Sequence, residues 1–153
     1  MLDLEELEKK DKLKTKVLKY IMYKKRTEQE VRKKFSDIED YDLLEEVIDD
    51  LKENGYINDD SYIEIAIAEF INLKNLSLKE LKYKLMSKGL DKDLIDDYFY
   101  NNTDKLEEYE INSAKNIINK KSNNMEEQDI IQFLLKKGYK MDSVKEAISM
   151  LKW

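Results

Sequence analysis

Apolar residues recur at helical spacing along most of the chain. The set Leu94, Ile95, Tyr98 and Phe99 is one example, because residues three and four apart lie on the same side of an α-helix. Proline is absent and glycine occurs only three times, so little interrupts such helices. The pattern predicts an all-α protein.

One helical pattern occurs again further along the chain. Lys137-Gly138 lies 49 positions after Lys88-Gly89, and the same offset aligns four apolar pairs: Leu81 with Ile130, Leu85 with Leu134, Ile95 with Val144, and Phe99 with Ile148. A looser copy has Val31 and Phe35 in the first two places. Such periodicity predicts a repeat protein. We expect three units of three helices, about nine helices in an elongated or curved array, with repeats at 1–58 (including an N-terminal extension), 59–103 and 104–153.

The short middle helix of each unit has a sequence that favours a helix start. A capping box pairs a small polar residue with an acid three residues later, and the chain has three candidates: Thr27 with Glu30, Ser77 with Glu80, and Asn124 with Glu127. Gly89 and Gly138 stand where two of these helices should end, because glycine adopts the left-handed conformation without strain.

The stretch from Glu53 to Ile71 predicts a joint between the first two units. We expect Gly55 to end one helix, Tyr56 and Ile57 to fold back onto its last turn, and Asn58 or Asp59 to cap the next helix. A calcium loop is disfavoured, since Lys52 and Ser61 would occupy positions that need acidic ligands. The following helix is apolar around most of its circumference, so we expect it to be covered on more than one side.

Charge is sorted along the chain, although the net charge is -6. Residues 9–34 hold twelve basic and three acidic residues, and residues 37–60 hold one basic and eleven acidic. The alternation returns with five lysines and one acid in 72–88, then two lysines and eight acids in 91–110. Separate positive and negative surfaces are therefore expected, although solvated helix faces that complement one another would give the same pattern.

Composition limits the chemistry that the chain can perform. It has no cysteine and no histidine, which removes disulfides, the usual zinc sites and imidazole bases. An enzyme is disfavoured, and we expect no cofactor or metal. The acidic N-terminus and the shortness of the apolar runs predict no signal peptide, no membrane segment and a cytoplasmic location.

Three spaced blocks carry a resemblance to a known family. They contain Arg26, Glu30, Val31, Lys34 and Phe35; then Gly55, Tyr56, Ile57, Asn58, Asp59 and Tyr62; then Glu80, Leu81, Leu85, Lys88 and Gly89. This order resembles the RecX family of bacterial regulators of the RecA recombinase, over about Val17 to Phe99. The third unit matches only in apolar spacing and in Lys137-Gly138. The chain departs from the family pattern at Ile63, in using lysine for much of the arginine, and in "KNLS" where a glycine-containing stretch is common.

The resemblance implies a non-enzymatic modulator that binds the RecA filament on single-stranded DNA and restrains its recombinase, ATPase and coprotease activities, the last of these in the SOS response and DNA repair. We expect a monomer with these candidate partner-binding residues: Lys24, Lys25, Arg26, Arg32, Lys33, Lys34, Lys74, Lys79, Lys82, Lys84 and Lys88.

Other interpretations stay open at this point. The same basic residues, with Tyr20, Tyr23 and Tyr83, could form a direct surface for single-stranded DNA. An unrelated helical scaffold fits the physical pattern alone. An enzyme using Asp96 and Asp97 is least favoured, because adjacent helix positions point in different directions.

Overall fold

The structure is a computed structural model that describes residues 3–151. Those residues form nine α-helices and no strand, which confirms the predicted all-α repeat fold. The helices are α1 Leu4–Tyr23, α2 Glu28–Lys34, α3 Tyr41–Glu53, α4 Asp59–Leu73, α5 Leu78–Ser87, α6 Lys92–Asn101, α7 Thr103–Lys121, α8 Glu127–Lys137 and α9 Met141–Leu151.

The helices pack into two compact units. The first contains the chain up to Tyr62 together with Lys88–Leu90, and the second contains Ile63–Ser87 together with the chain from Asp91 onward. Helix α4 begins in the first unit and continues into the second. The division into three repeats at 58 and 103 stays a prediction.

Each unit has an apolar core made by the positions that the helical periodicity predicts. In the first unit the buried cluster is Leu13, Val17, Ile21, Val31, Leu44, Val47, Ile48, Leu51 and Ile57. In the second, a cluster under α7, α8 and α9 is Ala114, Ile117, Ile130, Leu134, Tyr139, Val144 and Ala147. The positions that the 49-residue offset aligns are also alike in burial. Leu81, Leu85 and Ile95 are buried, and so are the residues aligned with them, Ile130, Leu134 and Val144.

Two of the three predicted capping boxes are present. The Thr27 N–H donates to the Glu30 carboxylate at 3.0 Å, and Ser77 N–H donates to that of Glu80 at 3.0 Å. The third prediction, at Asn124 and Glu127, is wrong. Helix α8 starts at Glu127 itself after Glu126, and the backbone N–H of Asn124 donates to the carbonyl of Lys121 in a turn that follows α7.

The predicted joint after α3 forms as expected in its backbone. Gly55 has φ +80°, and the N–H groups of Tyr56 and Ile57 both donate to the carbonyl of Leu51, so the helix ends there. The Asn58 side chain caps α4 by accepting the Ser61 N–H at 3.1 Å. Of the two residues that fold back, Ile57 is buried whereas Tyr56 stays half-exposed.

Helix α4 is covered less completely than its sequence predicts. Tyr62, Ile63 and Ile67 are buried, but Ile65 and Leu73 are exposed. The buried positions follow the helical repeat, so one side of the helix carries its packing and apolar residues outside that side remain accessible to solvent.

Candidate partner-binding surfaces

The candidate basic residues divide between the two compact units. Those in the first unit are Lys24, Lys25, Arg26, Arg32, Lys33, Lys34 and Lys88. Those in the second are Lys74, Lys79, Lys82 and Lys84. Their side chains differ in what they contact, and these contacts sort them into groups with different capacity to bind a partner.

An aromatic ring between α1 and α2 brings two of the candidates together. The Arg26 guanidinium carbon lies 4.2 Å from the centre of the Tyr20 ring, and Lys34 Nζ lies 5.7 Å from it. Phe35 packs edge-on against the same ring, with centroids 5.9 Å apart. We call Tyr20, Arg26 and Lys34 the Tyr20 platform. Cation–π attraction holds both charges over the ring, and within residues 3–151 neither forms a salt bridge.

Arg26 also has a donor without a partner. Its Nε is buried and forms no hydrogen bond to any described residue. Stacking on Tyr20 therefore orients the guanidinium without satisfying all of its donors.

Arg32, in contrast, is occupied within the protein. It donates to the Glu28 carboxylate at 3.1 Å and contacts both carboxylate oxygens of Glu45. Burial opposes ionisation of Glu28, but Lys52 at 2.8 Å and Arg32 more than offset it, so the pKa of Glu28 is lowered. Arg32 is part of an ion-pair network that joins α2 to α3.

The remaining candidates of the first unit are of two kinds. Lys25 Nζ donates to the Ser61 hydroxyl at 2.9 Å, and the backbone carbonyl of Lys88 accepts a hydrogen bond from Thr27. Lys24 and Lys33 have exposed side chains. Tyr23, next to Lys24, is 87% exposed. Of the candidates in this unit, Lys24, Lys33 and Lys34 are exposed, and the bond at Lys88 involves its backbone and leaves its half-buried side chain unengaged by any other described residue.

Helix α5 carries most of the candidates of the second unit. Lys82 Nζ lies 4.8 Å from the Phe99 ring centre and 3.4 Å from Asp96, and Lys84 Nζ lies 5.6 Å from the Phe70 ring centre. Lys79 and Tyr83 are one turn apart on an exposed side of the helix, where Tyr83 is 74% exposed.

The same hydrogen bond recurs at two of the motif positions. Thr27 Oγ1 donates to the carbonyl oxygen of Lys88 at 2.7 Å, and Ser77 Oγ donates to that of Lys137 at 2.9 Å. Thr27 and Ser77 each precede a middle helix, and Lys88 and Lys137 each lie at the end of a helix next to a glycine. Both hydroxyl residues are fully buried.

The glycines beside these bonds serve two purposes. Gly89 and Gly138 have φ of +85° and +105°, which other residues adopt only with strain. A Cβ on Gly89 would also lie 2.3 Å from Gln29 Cβ, and one on Gly138 would lie 2.9 Å from Lys79 Cβ. Gln29 and Lys79 each follow the capping hydroxyl by two residues, so the two contacts are equivalent. Only glycine allows this approach.

A carboxylate supports the start of each of these middle helices from another helix. Asp59 accepts the Glu28 N–H at 3.0 Å, and burial raises the pKa of Asp59. Glu110, which is 0% exposed, accepts the Leu78 N–H at 2.7 Å and the Lys140 N–H at 3.1 Å. Sequence reasoning missed Glu110. Its place in the apolar phase of α7, four residues after Leu106, could have indicated its burial.

Helix α7 also binds the connection between α4 and α5. Asn116 donates to the Lys74 carbonyl at 2.9 Å, and the Tyr109 hydroxyl donates to the Leu76 carbonyl at 2.9 Å. Lys74 itself has φ +49°. Lys74, the first residue of the "KNLS" stretch, therefore adopts the left-handed conformation without being glycine.

The described residues contain no helix that could cross a membrane. Within the same range, no cluster of three or more acidic side chains is arranged to hold a metal ion.

These features define an all-α protein built from three-helix repeats, in which polar caps connect the middle helices α2 and α5 to a later segment. No family model matches the chain. "Regulatory protein RecX" of Lactococcus lactis strain IL1403 is 35% identical over 150 residues, covering 90% of this chain and 55% of that protein. The protein of the same description from Finegoldia magna is 32% identical over 151 residues, covering 87% of this chain and 68% of that protein. The chain belongs to the RecX family.

Solved structures agree with this assignment. The crystal structure of RecX from Lactobacillus salivarius has a TM-score of 0.78 and 28% identity, covering 95% of this chain and 97% of that one. A second RecX crystal structure, 23% identical, has the same fold with a TM-score of 0.78. The chain spans about half the length of several curated relatives that it matches, 55% and 52% in two cases.

Proposed function

We propose that the protein is a non-enzymatic regulator that binds the RecA filament on single-stranded DNA and lowers its ATPase, recombinase and coprotease activities. We further propose that it acts in the cytoplasm as a monomer, in DNA repair and the SOS response. The observation that carries the proposal is its similarity, over about nine-tenths of its length, to relatives that are named regulatory proteins.

The contacts of the basic residues support a partner of negative charge. Lys24, Lys33 and Lys34 are exposed in the first unit, and Lys79 and Lys84 are exposed in the second. Separate basic surfaces on one chain would let it contact successive protomers of a polymer, and each added contact raises the effective concentration of the next. Arg32 has no part in this role, since its charge is satisfied by Glu28 and Glu45.

The test is to add the purified protein to RecA assembled on single-stranded DNA and to follow ATP hydrolysis and filament lifetime. We expect both to fall at stoichiometric protein. A double variant, Lys24→Glu with Lys33→Glu, should inhibit less. The matched control is Lys105→Glu with Lys145→Glu, which changes the net charge equally at exposed positions of α7 and α9. No effect of the wild-type protein on the filament would sink the proposal.

A second function is favoured by the exposed tyrosines. Tyr23 and Tyr83 lie next to Lys24 and Lys84, and exposed rings beside lysines can stack on bases while the charges contact phosphates. The protein would then bind single-stranded DNA directly. Tight binding to naked DNA that falls steeply with salt, with no gain on RecA filaments, would favour this function over the first.

A further inference from the structure

A groove in the second unit has a different charge from its neighbours. It has a volume of about 290 Å³, and its lining includes Asn75, Lys120, Lys121, Asn124, Phe133 and Lys137. Among residues 3–151, no acidic residue lines it. We call it the Phe133 groove. None of its lysines was among the candidates that the sequence suggested.

Other polar grooves of the protein mix the two signs of charge. One in the first unit has Lys9 and Lys10 facing Asp40 and Glu46, and one in the second unit has Lys82 and Lys140 facing Asp96 and Glu107. The lining of the first groove also includes Glu6 and Asp42, so acidic residues outnumber lysines there, whereas the second groove is balanced. Three lysines without a lining carboxylate, on a chain with a net charge of -6, form a local positive field that attracts an anion.

Two of the three lysines of the Phe133 groove, Lys121 and Lys137, are held in place. Lys121 Nζ lies 4.3 Å from the centre of the Phe133 ring, and Lys137 Nζ lies 5.7 Å from it. Lys137 Nζ also donates to the Asn75 carbonyl at 3.2 Å. Glu80 Oε1, which also accepts the Ser77 N–H, lies 3.9 Å from Lys137 Nζ and offsets part of its charge. Because Lys121 and Lys137 are ordered before binding, less of their conformational entropy is lost when a ligand arrives.

The composition of the groove indicates what kind of anion it fits. Lysine ammonium groups contact phosphate as point charges, whereas paired recognition of carboxylates favours arginine, which the groove lacks. Phe133 adds an aromatic surface, and Asn124 adds an amide that can donate or accept. A phosphate beside a flat apolar group is the repeating unit of a nucleic-acid strand. A volume of about 290 Å³ is suited to a short stretch of such a strand and not to a folded partner.

We propose that the Phe133 groove binds the backbone of single-stranded nucleic acid, with Lys120, Lys121 and Lys137 on phosphates and Phe133 against a sugar or base. The inference rests on the proposed function only for the source of the strand, which is the DNA of the filament. It extends the contact surface to α7 and α8, beyond the residues named above.

The experiment measures binding of the full chain to a fluorescent oligothymidylate by anisotropy over a range of salt concentrations. Lys120→Gln with Lys121→Gln should weaken binding about tenfold at low salt, and should reduce the slope of log affinity against log salt by roughly 1.4, since each lost phosphate contact removes about 0.7. Phe133→Leu should weaken binding a few-fold. The control, Lys105→Gln with Lys145→Gln, carries the same change in charge and should bind like the wild type.

Several results would overturn the inference. One is that the wild type does not bind the oligonucleotide. A second is that the control pair loses as much affinity as Lys120→Gln with Lys121→Gln, which would indicate an effect of diffuse charge. Another is an Asp- and Glu-rich peptide that binds in a manner dependent on Lys120 and Lys121 while the oligonucleotide does not. Thermal unfolding of each variant identifies any loss of binding that comes from misfolding. Lys120 and Lys121 are exposed or half-exposed, so their Gln variants should fold and still test the inference if Phe133→Leu does not fold.

The same variants separate this inference from the proposed function. Oligonucleotide binding that depends on the groove, without any effect of the protein on RecA ATPase, would leave the groove assignment standing and remove the proposed function. If the protein inhibits RecA but its oligonucleotide binding does not depend on Lys120 and Lys121, the proposed function stands and the groove assignment is wrong.

Discussion

The hydroxyl of Thr27 donates to the carbonyl oxygen of Lys88 at 2.7 Å and also accepts the N–H of Glu30 at 3.1 Å. Ser77 makes the same two bonds with Lys137 and Glu80, at 2.9 and 3.1 Å. A single hydroxyl thus caps its own helix and binds the end of another. Aspartate caps helices as well as serine does, but an ionised carboxylate has no proton to donate to a carbonyl.

Substitution of Ser77 separates these two roles. Ser77→Ala removes both bonds from a buried site and should lower the free energy of unfolding by about 2–3 kcal/mol. Ser77→Asp keeps a capping acceptor but places it against the Lys137 carbonyl, so it should destabilise at least as much. Urea denaturation followed by circular dichroism measures both.

Asp40 and Asn124 supply the controls for Ser77. Asp40 caps α3 at an exposed position, so Asp40→Ser should change stability by less than about 0.5 kcal/mol. Asn124→Ala should be equally mild, because α8 begins after Glu126. If Ser77→Asp were as stable as the wild type, the bond to Lys137 would contribute nothing.

The three glycines should differ in their tolerance of alanine. At Gly55 an added Cβ meets nothing within 4 Å, so Gly55→Ala has only the strain of a positive φ, about 1 kcal/mol. Gly89→Ala adds a contact of 2.3 Å with Gln29, and Gly138→Ala one of 2.9 Å with Lys79. We expect unfolding midpoints to fall least for Gly55 and most for Gly89. An equal effect at all three would mean that φ alone requires glycine.

Lys74 offers a stabilising substitution. Its φ of +49° is strained for a residue with a Cβ, so Lys74→Gly should raise the free energy of unfolding by about 1 kcal/mol. The carbonyl that accepts from Asn116 is retained. Asn75→Gly is the control, and it should be neutral or destabilising because Asn75 has no positive φ to relieve. A stability gain at Asn75 as large as that at Lys74 would contradict this explanation.

Glu110 should not tolerate replacement by glutamine. Its carboxylate accepts two backbone N–H groups, from Leu78 and Lys140, in a fully buried position. Glu110→Gln replaces one acceptor oxygen by a donor that faces an N–H, which should destabilise by about 2–3 kcal/mol in thermal or urea unfolding. Glu107→Gln, one turn earlier and exposed, is the control and should have little effect.

Neighbouring residues Arg32 and Lys33 should give opposite results. Arg32→Gln breaks the contacts with Glu28 and Glu45, so it should lower stability by about 1 kcal/mol and leave inhibition of RecA ATPase unchanged under conditions where the protein is folded. Lys33→Gln removes an exposed charge and should weaken inhibition without changing stability. Weaker inhibition by folded Arg32→Gln would show that Arg32 contacts the partner after all.

The sequence was sufficient for the helices, the glycine stops and two caps because these depend on residues close together in the chain. The third cap was misplaced because the turn after α7 shifts the start of α8 to Glu127. The contact of Gly89 with Gln29 could not be predicted, since it depends on two residues 60 positions apart that only the fold brings together.

Charge counting identified basic segments but not the use of each charge. It placed Glu110 in an acidic block, although the helical phase buries it. It included Arg32, whose charge is used in an internal ion-pair network. It omitted Lys121 and Lys137, because neither lies in a long lysine-rich segment. Counting along the chain ignores which side of a helix a residue occupies, and that side decides whether its charge reaches solvent.

The hydrogen bonds of Thr27 and Ser77 have a consequence for synthesis on the ribosome. Each hydroxyl emerges about 60 residues before the carbonyl that it binds, so the start of α5 lacks its partner at Lys137 until α8 has been made. While the chain is being made, the newer of these two helices therefore has only the cap bonds within its own segment.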